Sequence, residues 1–202
     1  MGKIPVRVGH YRQKFLTIPV SHKNILHMRH RYLRFIEVLS KDQYPDKTEL
    51  FWTSQEEEKI KNILTEFNPQ QKIMIGLAPG SVRRTKRWPA EYFQLLLKLL
   101  IQQGFKCILI GGARDTKLSN KIGQINSPEV LNLAGKLDVL ESAVLIKNLD
   151  LLVTNDSAPL HLANAVGTEV IAIFGPTVKR FGCFPFGPQD EVLEVNLNLS
   201  LI

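Results

Sequence analysis

The chain has 202 residues, of which 44% are hydrophobic and 22% are charged, and its net charge is +7 at neutral pH. These values are typical of a globular protein with one or two domains, and they exclude a disordered, collagen-like or coiled-coil chain. Two cysteines are too few for a disulfide framework or a structural four-thiolate zinc site. Since no stretch approaches the ~18 uninterrupted apolar residues of a membrane span, we expect a soluble cytoplasmic protein.

The positive charge is concentrated near the N-terminus. Residues 1–36 contain eight lysines and arginines and no acidic residue, whereas the remaining 166 residues contain 18 basic and 19 acidic residues. Any anionic partner is therefore expected to meet this end of the chain, although a solvated basic helix face explains the charge as well. No nucleic acid is expected as a partner, because no helix-turn-helix, zinc or aromatic-stacking signature accompanies the charge.

The first third of the chain is predicted to hold extended segments, two helices and a linker. Residues 3–20 are predicted to be extended, with Pro5 and Pro19 limiting the strand length. A helix is predicted from Asn24, with an apolar stripe of Ile25, Met28, Tyr32, Phe35, Ile36 and Leu39. A polar linker follows over 40–53, and a second helix opens with a capping box at 54–57 and ends at Asn68-Pro69.

After Gln71 the pattern becomes an alternation of short apolar strands with amphipathic helices. The predicted strands are 73–77, 106–110, 130–133, 151–154 and 170–174, and the predicted helices are 89–104, 116–125, 139–148 and 158–166. Strands that alternate with helices of this length indicate a parallel sheet with right-handed crossovers on both faces. The fold class is therefore α/β, a doubly wound Rossmann-like sheet over about 70–195.

Ligands of such sheets bind at the carboxyl ends of the strands. We therefore expect the functional residues in the loops 78–88, 111–115, 134–137 and 155–161, with the loop 175–177 beside them.

The first loop is basic and opens a helix. Four of its five residues from Arg83 to Arg87 are basic, and the loop also contains Gly80, Ser81 and Thr85. These features favour an anion such as a diphosphate, because a helix N-terminus offers free amides and a positive dipole end. The loop matches neither a Walker motif nor a dinucleotide-binding glycine motif, and an exposed basic turn is the alternative.

The loop after the fourth of these strands combines an acid, a hydroxyl and an imidazole. Asp156 and Ser157 stand between a strand and a helix, where either would serve as the helix cap, and His161 follows within the first helical turns. Together these groups suit a polyhydroxylated ligand. A serine hydrolase is excluded because Ser157 lacks the nucleophile-elbow glycines, and metal-dependent sugar transfer is disfavoured because the chain has no D-x-D pair.

Five motifs in this order resemble a known family. They are A-P-G-S-V-x-x-T-K-R-W-P at 78–89, G-G-x-x-D at 111–115, N-L-A-G-K-L at 132–137, L-V-T-N-D-S-A-P-L-H-L-A at 152–163 and F-G-P-T at 174–177. The chain resembles the donor half of the ADP-heptose:lipopolysaccharide heptosyltransferases of glycosyltransferase family nine, in particular the heptosyltransferase II type. The resemblance runs from about Ile4 to Val195.

The resemblance implies a fold, a reaction and partners. The fold is the C-terminal half of a GT-B glycosyltransferase, with residues 1–39 as a remnant of the N-terminal acceptor domain, 40–69 as linker and helix, and 70–202 as the nucleotide-sugar domain. The reaction is an inverting transfer of heptose from ADP-heptose to the anionic inner core of lipopolysaccharide, with no cofactor and no obligatory metal. A protein with this acceptor is expected to be peripheral to the inner membrane face at most. Cationic groups directed at the departing diphosphate would stabilise its growing charge.

The resemblance also assigns residues to roles. Lys86, which would neutralise the leaving diphosphate, and Asp156 are expected to be catalytic. Arg114 stands where some members have a glutamate for the ribose hydroxyls, and Asp115 is expected to substitute for it. The residues expected to bind the donor substrate are Gly80, Ser81, Thr85, Arg87, Asp115, Leu137 near the adenine, Ser157, Ala158 and His161; no residue is expected to bind a metal.

The family places an acceptor-binding domain, with the aspartate taken as the general base, ahead of this region. Residues 4–9 resemble only the late part of that domain. The chain is therefore expected to be incomplete as an enzyme: a fragment, a truncated reading frame, or one half of a split enzyme whose N-terminal half is encoded separately. The alternative is a catalytically inactive fragment that binds a nucleotide sugar.

Overall fold

The structure is a computed structural model that describes residues 8–10, 18–20, 27–40, 44–125, 127–175 and 182–194. The chain divides into two compact units, one formed by residues 1–47 with 179–184 and the other by residues 48–178 with 185–202. Among the helices within the described ranges, none has both the length and the apolar character that crossing a bilayer requires.

In the described part of the first unit there are two short parallel strands and one helix. Strand β1 (Val8–His10) pairs with β2 (Ile18–Val20), and α1 spans Met28–Glu37. The helix begins after His27, whose ring accepts a hydrogen bond from the Arg29 amide. The predicted helix start at residues 24–26 lies outside the described residues. The apolar stripe predicted for α1 is not buried, since Tyr32 is 62% and Leu39 60% exposed.

The second unit begins with α2 (Ser54–Phe67), which the capping box opens one residue earlier than predicted. Thr53, rather than Ser54, is the N-cap: its hydroxyl accepts from the Gln55 amide, and the Glu56 carboxylate accepts from the Thr53 amide. Either residue type caps a helix well, so local sequence alone does not choose between neighbouring threonine and serine. The predicted end at Asn68 is confirmed.

Six parallel strands form the sheet of the second unit in the order β5-β4-β3-β6-β7-β8. They are β3 (Met74–Ala78), β4 (Lys106–Leu109), β5 (Val130–Asn132), β6 (Leu151–Asn155), β7 (Val170–Phe174) and β8 (Glu191–Glu194). The predicted doubly wound α/β class is thereby confirmed. Strand β8 was not predicted: it is a short edge strand with a glutamate at each end, and it lacks the apolar run of a central strand.

Helices α3 (Ala90–Gln102), α4 (Thr116–Ile122), α5 (Val139–Lys147) and α6 (Ala158–Val166) connect these strands. Helix α4 ends three residues before the predicted position because Gly123 is its C-cap, where a side chain would clash with Leu109. Helix α3 packs against α4, and α5 packs against α2 and α6. The core beneath α3 consists of Ile75, Leu77, Phe93, Leu97, Cys107, Leu109, Ile122 and Val153.

The strand order reverses direction between β3 and β6. From β3 the chain moves outward to β4 and β5, then returns to the other side of β3 and moves outward through β6 and β7. The crossovers on the two sides of this point leave the sheet in opposite directions, which opens a crevice at the carboxyl ends of β3 and β6. The loops that follow these two strands are therefore the first place to look for a ligand site.

Candidate functional site at the carboxyl ends of β3 and β6

The basic loop after β3 is attached at both ends to the last residue of β6. The Asn155 side chain, which is fully buried, donates to the Pro79 carbonyl at 2.8 Å and accepts from the Trp88 amide at 2.9 Å. Between these points the loop forms a 3-10 turn over Arg84–Lys86. The carboxyl end of β6 thus holds the segment that carries the predicted phosphate-binding residues.

Lys86 and Asp156 meet at the centre of this crevice. The Lys86 Nζ lies 2.5 Å from Asp156 Oδ2, and the two side chains are 21% and 8% exposed. Ser81 is also buried here, and its hydroxyl points at the Asp156 carbonyl at 3.5 Å. The structure therefore brings together three of the residues that the sequence singled out, although they come from two separate loops.

Arg87 is turned into the loop. Its Nε donates to the Ser81 carbonyl at 2.7 Å, and its guanidinium lies 3.9 Å from the Asp115 carboxylate. The Asp115 carboxylate accepts from the Gly112 amide at 3.1 Å as well. These contacts give Arg87 and Asp115 a part in shaping the loops in addition to the substrate contacts predicted for them.

Gly80 and Asp115 are in van der Waals contact across two loops. A β-carbon at Gly80 would overlap all three carboxyl atoms of Asp115, so the loop after β3 approaches the loop after β4 only because residue 80 has no side chain. This close approach places Asp115 beside the phosphate-binding residues and is the reason that a glycine is needed here.

The loop after β6 opens helix α6, whose N-cap is Ser157. The Ser157 hydroxyl makes no capping bond to the helix; it lies 3.3 Å from the Asn155 carbonyl and 3.4 Å from the Thr154 hydroxyl. Ala158 is exposed at the first helical position. Of the two cap residues considered from the sequence, Ser157 occupies the position; its carbonyl accepts from the Leu160 amide at 3.2 Å, and Pro159 has no amide proton to donate.

His161 lies within the electrostatic field of the Lys86–Asp156 pair. Desolvation by the surrounding protein lowers the pKa of His161; the Asp156 carboxylate opposes this shift and Lys86 adds to it. This shift favours the neutral imidazole, which has one donor and one acceptor nitrogen.

Thr85 and Leu137 lie at two margins of the site. Thr85 is exposed, and its carbonyl lies against Gly175, where a β-carbon would approach it to 3.1 Å. The loop after β7 therefore begins beside the basic loop, as predicted; residues 176 and 177 lie outside the described residues. Half-buried Leu137 belongs to the loop after β5, which is joined to the loop after β4 by a bond from the Gly135 amide to the Gly111 carbonyl.

Asn155 is the residue of this site to which the sequence analysis gave no role. In the sequence, the only indication of a role for Asn155 is its position between the end of a predicted strand and Asp156. A strand-end asparagine is, however, equally compatible with a simple turn, so its two long-range hydrogen bonds are visible only in the folded chain.

Comparison with known proteins shows which family the chain is similar to. Residues 3–200 match the model of the family described as glycosyltransferase family 9 (heptosyltransferase). The lipooligosaccharide heptosyltransferase 2 of Haemophilus influenzae is 37% identical over 116 residues, which cover 55% of this chain and 34% of that protein. The lipopolysaccharide heptosyltransferase 2 of Escherichia coli is 34% identical over 116 residues, covering 55% and 33%.

Solved structures extend the comparison to the fold. The structure of Escherichia coli ADP-heptose lipopolysaccharide heptosyltransferase II aligns with a TM-score of 0.62 and 29% identity, over 72% of this chain and 44% of that one. The family 9 glycosyl transferase of Veillonella parvula aligns with a TM-score of 0.81 over 95% and 56%, and at 23% identity this likeness concerns the fold alone. The chain spans about a third of the length of the curated relatives named above. The match over nearly its whole length shows that the chain belongs to glycosyltransferase family 9, the heptosyltransferase family.

Proposed function

We propose that this chain carries the donor-binding half of an enzyme that transfers heptose from ADP-heptose to the inner core of lipopolysaccharide. The observation that carries the proposal is the Lys86–Asp156 pair at the crevice between β3 and β6. The chain belongs to a family of glycosyltransferases, which supports a sugar nucleotide as the ligand of this crevice. The similar Escherichia coli protein is an ADP-heptose lipopolysaccharide heptosyltransferase.

The diphosphate of the donor would lie over Lys86 and the first turn of α6. An ammonium held in a partly dry crevice stabilises negative charge more than one in bulk water does, and this matters most as the leaving diphosphate gains charge. The positive end of the α6 dipole would favour the same anion, and the hydroxyls of Ser81 and Ser157, which belong to the two loops of the site, would supply neutral donors. Asp156, as an anion, would not face the phosphates; we assign it to holding Lys86 and accepting a hydrogen bond from a sugar hydroxyl.

The adenosine of the donor would lie toward the loops after β4 and β5. Leu137 offers an apolar surface for the base, and Asp115 stands beside Gly80 at the phosphate end of that path. The Asp115 carboxylate already accepts a hydrogen bond from the Gly112 amide and lies 3.9 Å from the Arg87 guanidinium. A ribose hydroxyl would therefore donate to a carboxylate that also keeps these two contacts.

Transfer also requires a base that removes the proton of the acceptor hydroxyl. The resemblance places that aspartate in the preceding domain, so we assign to this chain the donor side of the reaction, with the basic residues of 1–36 attracting an anionic acceptor.

The second candidate is an inactive fragment that binds the nucleotide sugar without transferring it. Transfer of labelled heptose, measured with and without an added acceptor-binding half, separates the two.

The proposed compartment is the cytoplasm. Since the donor is an activated nucleotide sugar, the reaction is proposed on the cytoplasmic side of the inner membrane.

Titration calorimetry with ADP tests the proposal directly. We expect a saturable one-site isotherm for ADP and a weaker one for UDP, which has the same diphosphate and a different base. Circular dichroism on the same sample establishes that the protein is folded. A folded sample that binds neither nucleotide would rule out the donor-binding role.

A further inference from the structure

We infer that Asn155 is a positioning residue that holds the basic loop in its phosphate-binding conformation, an inference that rests on the function proposed above. The residue is fully buried at the end of β6 and directly precedes Asp156. Its side chain binds the backbone of Pro79 and Trp88, the two ends of the segment that contains Ser81 and Lys86.

The chemistry of the amide suits this task. One face of the carboxamide donates and the other accepts, and the two are fixed relative to each other by a planar group. Nδ2 donates to the Pro79 carbonyl and Oδ1 accepts from the Trp88 amide, so one side chain satisfies a backbone acceptor and a backbone donor that lie at opposite ends of the loop. A carboxylate of the same size would satisfy the Trp88 amide only, and an apolar side chain would satisfy neither group.

The other hydrogen bonds of the loop do not replace this attachment. The bonds from Lys86 to Arg83 and from Arg87 to Arg84 close the 3-10 turn locally and leave its position relative to β6 undefined. The Lys86–Asp156 pair does reach β6, but a diphosphate bound to Lys86 would compete with it. The Ser81 hydroxyl reaches the Asp156 carbonyl as well, but at 3.5 Å and near one end of the loop only. Asn155 attaches both ends of the loop, and its two bonds persist when the ligand engages Lys86.

Asn68 provides a matched control elsewhere in the fold. It is 7% exposed, its Nδ2 donates to the Lys72 carbonyl at 2.7 Å, and its Oδ1 accepts from the Lys72 amide at 2.9 Å. It therefore makes the same pair of bonds around a turn, but that turn precedes β3 and lies at the amino end of the sheet, opposite the site.

Limited trypsin digestion of the whole chain without nucleotide tests the positioning itself, because the loop contains Arg83, Arg84, Lys86 and Arg87. We expect Asn155→Ala to increase cleavage within 83–87 by about tenfold or more, since two buried backbone groups lose their partners, whereas Asn68→Ala should leave cleavage there unchanged.

Calorimetry with ADP gives a second readout of the same variants. Asn155→Ala should weaken ADP binding by about tenfold or more, and Asn68→Ala should leave the affinity unchanged. Wild-type cleavage in folded Asn155→Ala, or an equal effect of Asn68→Ala on the loop, would overturn the inference.

Two further measurements cover the case in which Asn155→Ala fails to fold. Asn155→Asp keeps the acceptor for Trp88 and loses the donor to Pro79, so cleavage within 83–87 should rise to an intermediate rate; wild-type resistance contradicts the inference. Hydrogen exchange on the wild-type chain should show the Trp88 amide protected, and exchange at the rate of an exposed loop amide contradicts it. Both readouts need no nucleotide, so they remain decisive even if the chain does not bind ADP.

Discussion

The ammonium of Lys86 lies 2.5 Å from the carboxylate of Asp156, a residue 70 positions further along the chain. Each side chain comes from a loop that follows one of the two central strands, β3 and β6. The cation is therefore in place before any ligand arrives, and less side-chain entropy is lost when a diphosphate binds than for a lysine on an open surface.

Replacing Lys86 by alanine should weaken ADP binding. Hydrogen bonds to charged groups contribute about 1.5–3 kcal/mol, so we expect the dissociation constant to rise at least about tenfold. Titration calorimetry at constant ionic strength measures the change. Lys98→Ala is the control: it removes the same charge from an exposed position on α3 and should leave the affinity within error. Equal weakening by both variants would mean that only net charge matters.

The Asp156→Asn variant should act in the opposite direction on ADP alone. Removing the carboxylate removes a negative charge beside the bound diphosphate and releases Lys86 to it, so ADP should bind at least as tightly as to the wild type. The affinity for the intact sugar nucleotide should rise less, because a hydrogen-bond acceptor for the sugar is lost. If ADP binding falls as it does in Lys86→Ala, the placement of Lys86 by the carboxylate contributes more to ADP affinity than the relief of charge repulsion does, and the prediction is wrong.

Gly80 and Asp115 should show strong energetic coupling. Gly80→Ala places a methyl group on the Asp115 carboxyl, and overpacking of this kind costs about 1–3 kcal/mol of unfolding free energy. Asp115→Ala removes the clashing atoms, so the double variant should be more stable than the sum of the two single effects predicts. Urea denaturation of the four proteins measures the coupling. Strict additivity would show that the two loops separate without cost.

The lowered pKa of His161 predicts a pH dependence of stability. Above the ordinary histidine pKa of about 6.5 both folded and unfolded states are neutral at this residue, and it contributes nothing to the slope. Below that pH the unfolded chain takes up the proton first, so the folded state loses stability as the pH falls. Thermal melts between pH 7.5 and pH 5 should therefore show a smaller decrease in Tm for His161→Gln than for the wild type. Parallel curves would mean that the imidazole titrates normally in the folded protein.

Much of the fold was predictable because its elements are locally encoded. The apolar run of β7 and the stripe of α6, closed by Gly167, give these elements the predicted bounds, Val170–Phe174 and Ala158–Val166. The prediction failed where the local signal was shared or weak: at the Thr53–Ser54 cap, at the early end of α4, and at the charged edge strand β8. For α4 the early end is a matter of packing, since a side chain at Gly123 would clash with Leu109.

The alternating parallel architecture and the two loops of the candidate site could be predicted from the amino-acid sequence alone, because hydrophobic periodicity and turn residues are properties of neighbouring positions in the chain. Only the tertiary structure decided that β3 and β6 are adjacent, that Lys86 meets Asp156, and that Asn155 reaches both Pro79 and Trp88. Strand order is set by the burial of whole sheet faces and by crossover handedness, and the apolar pattern of a single strand holds no information about which strand lies beside it.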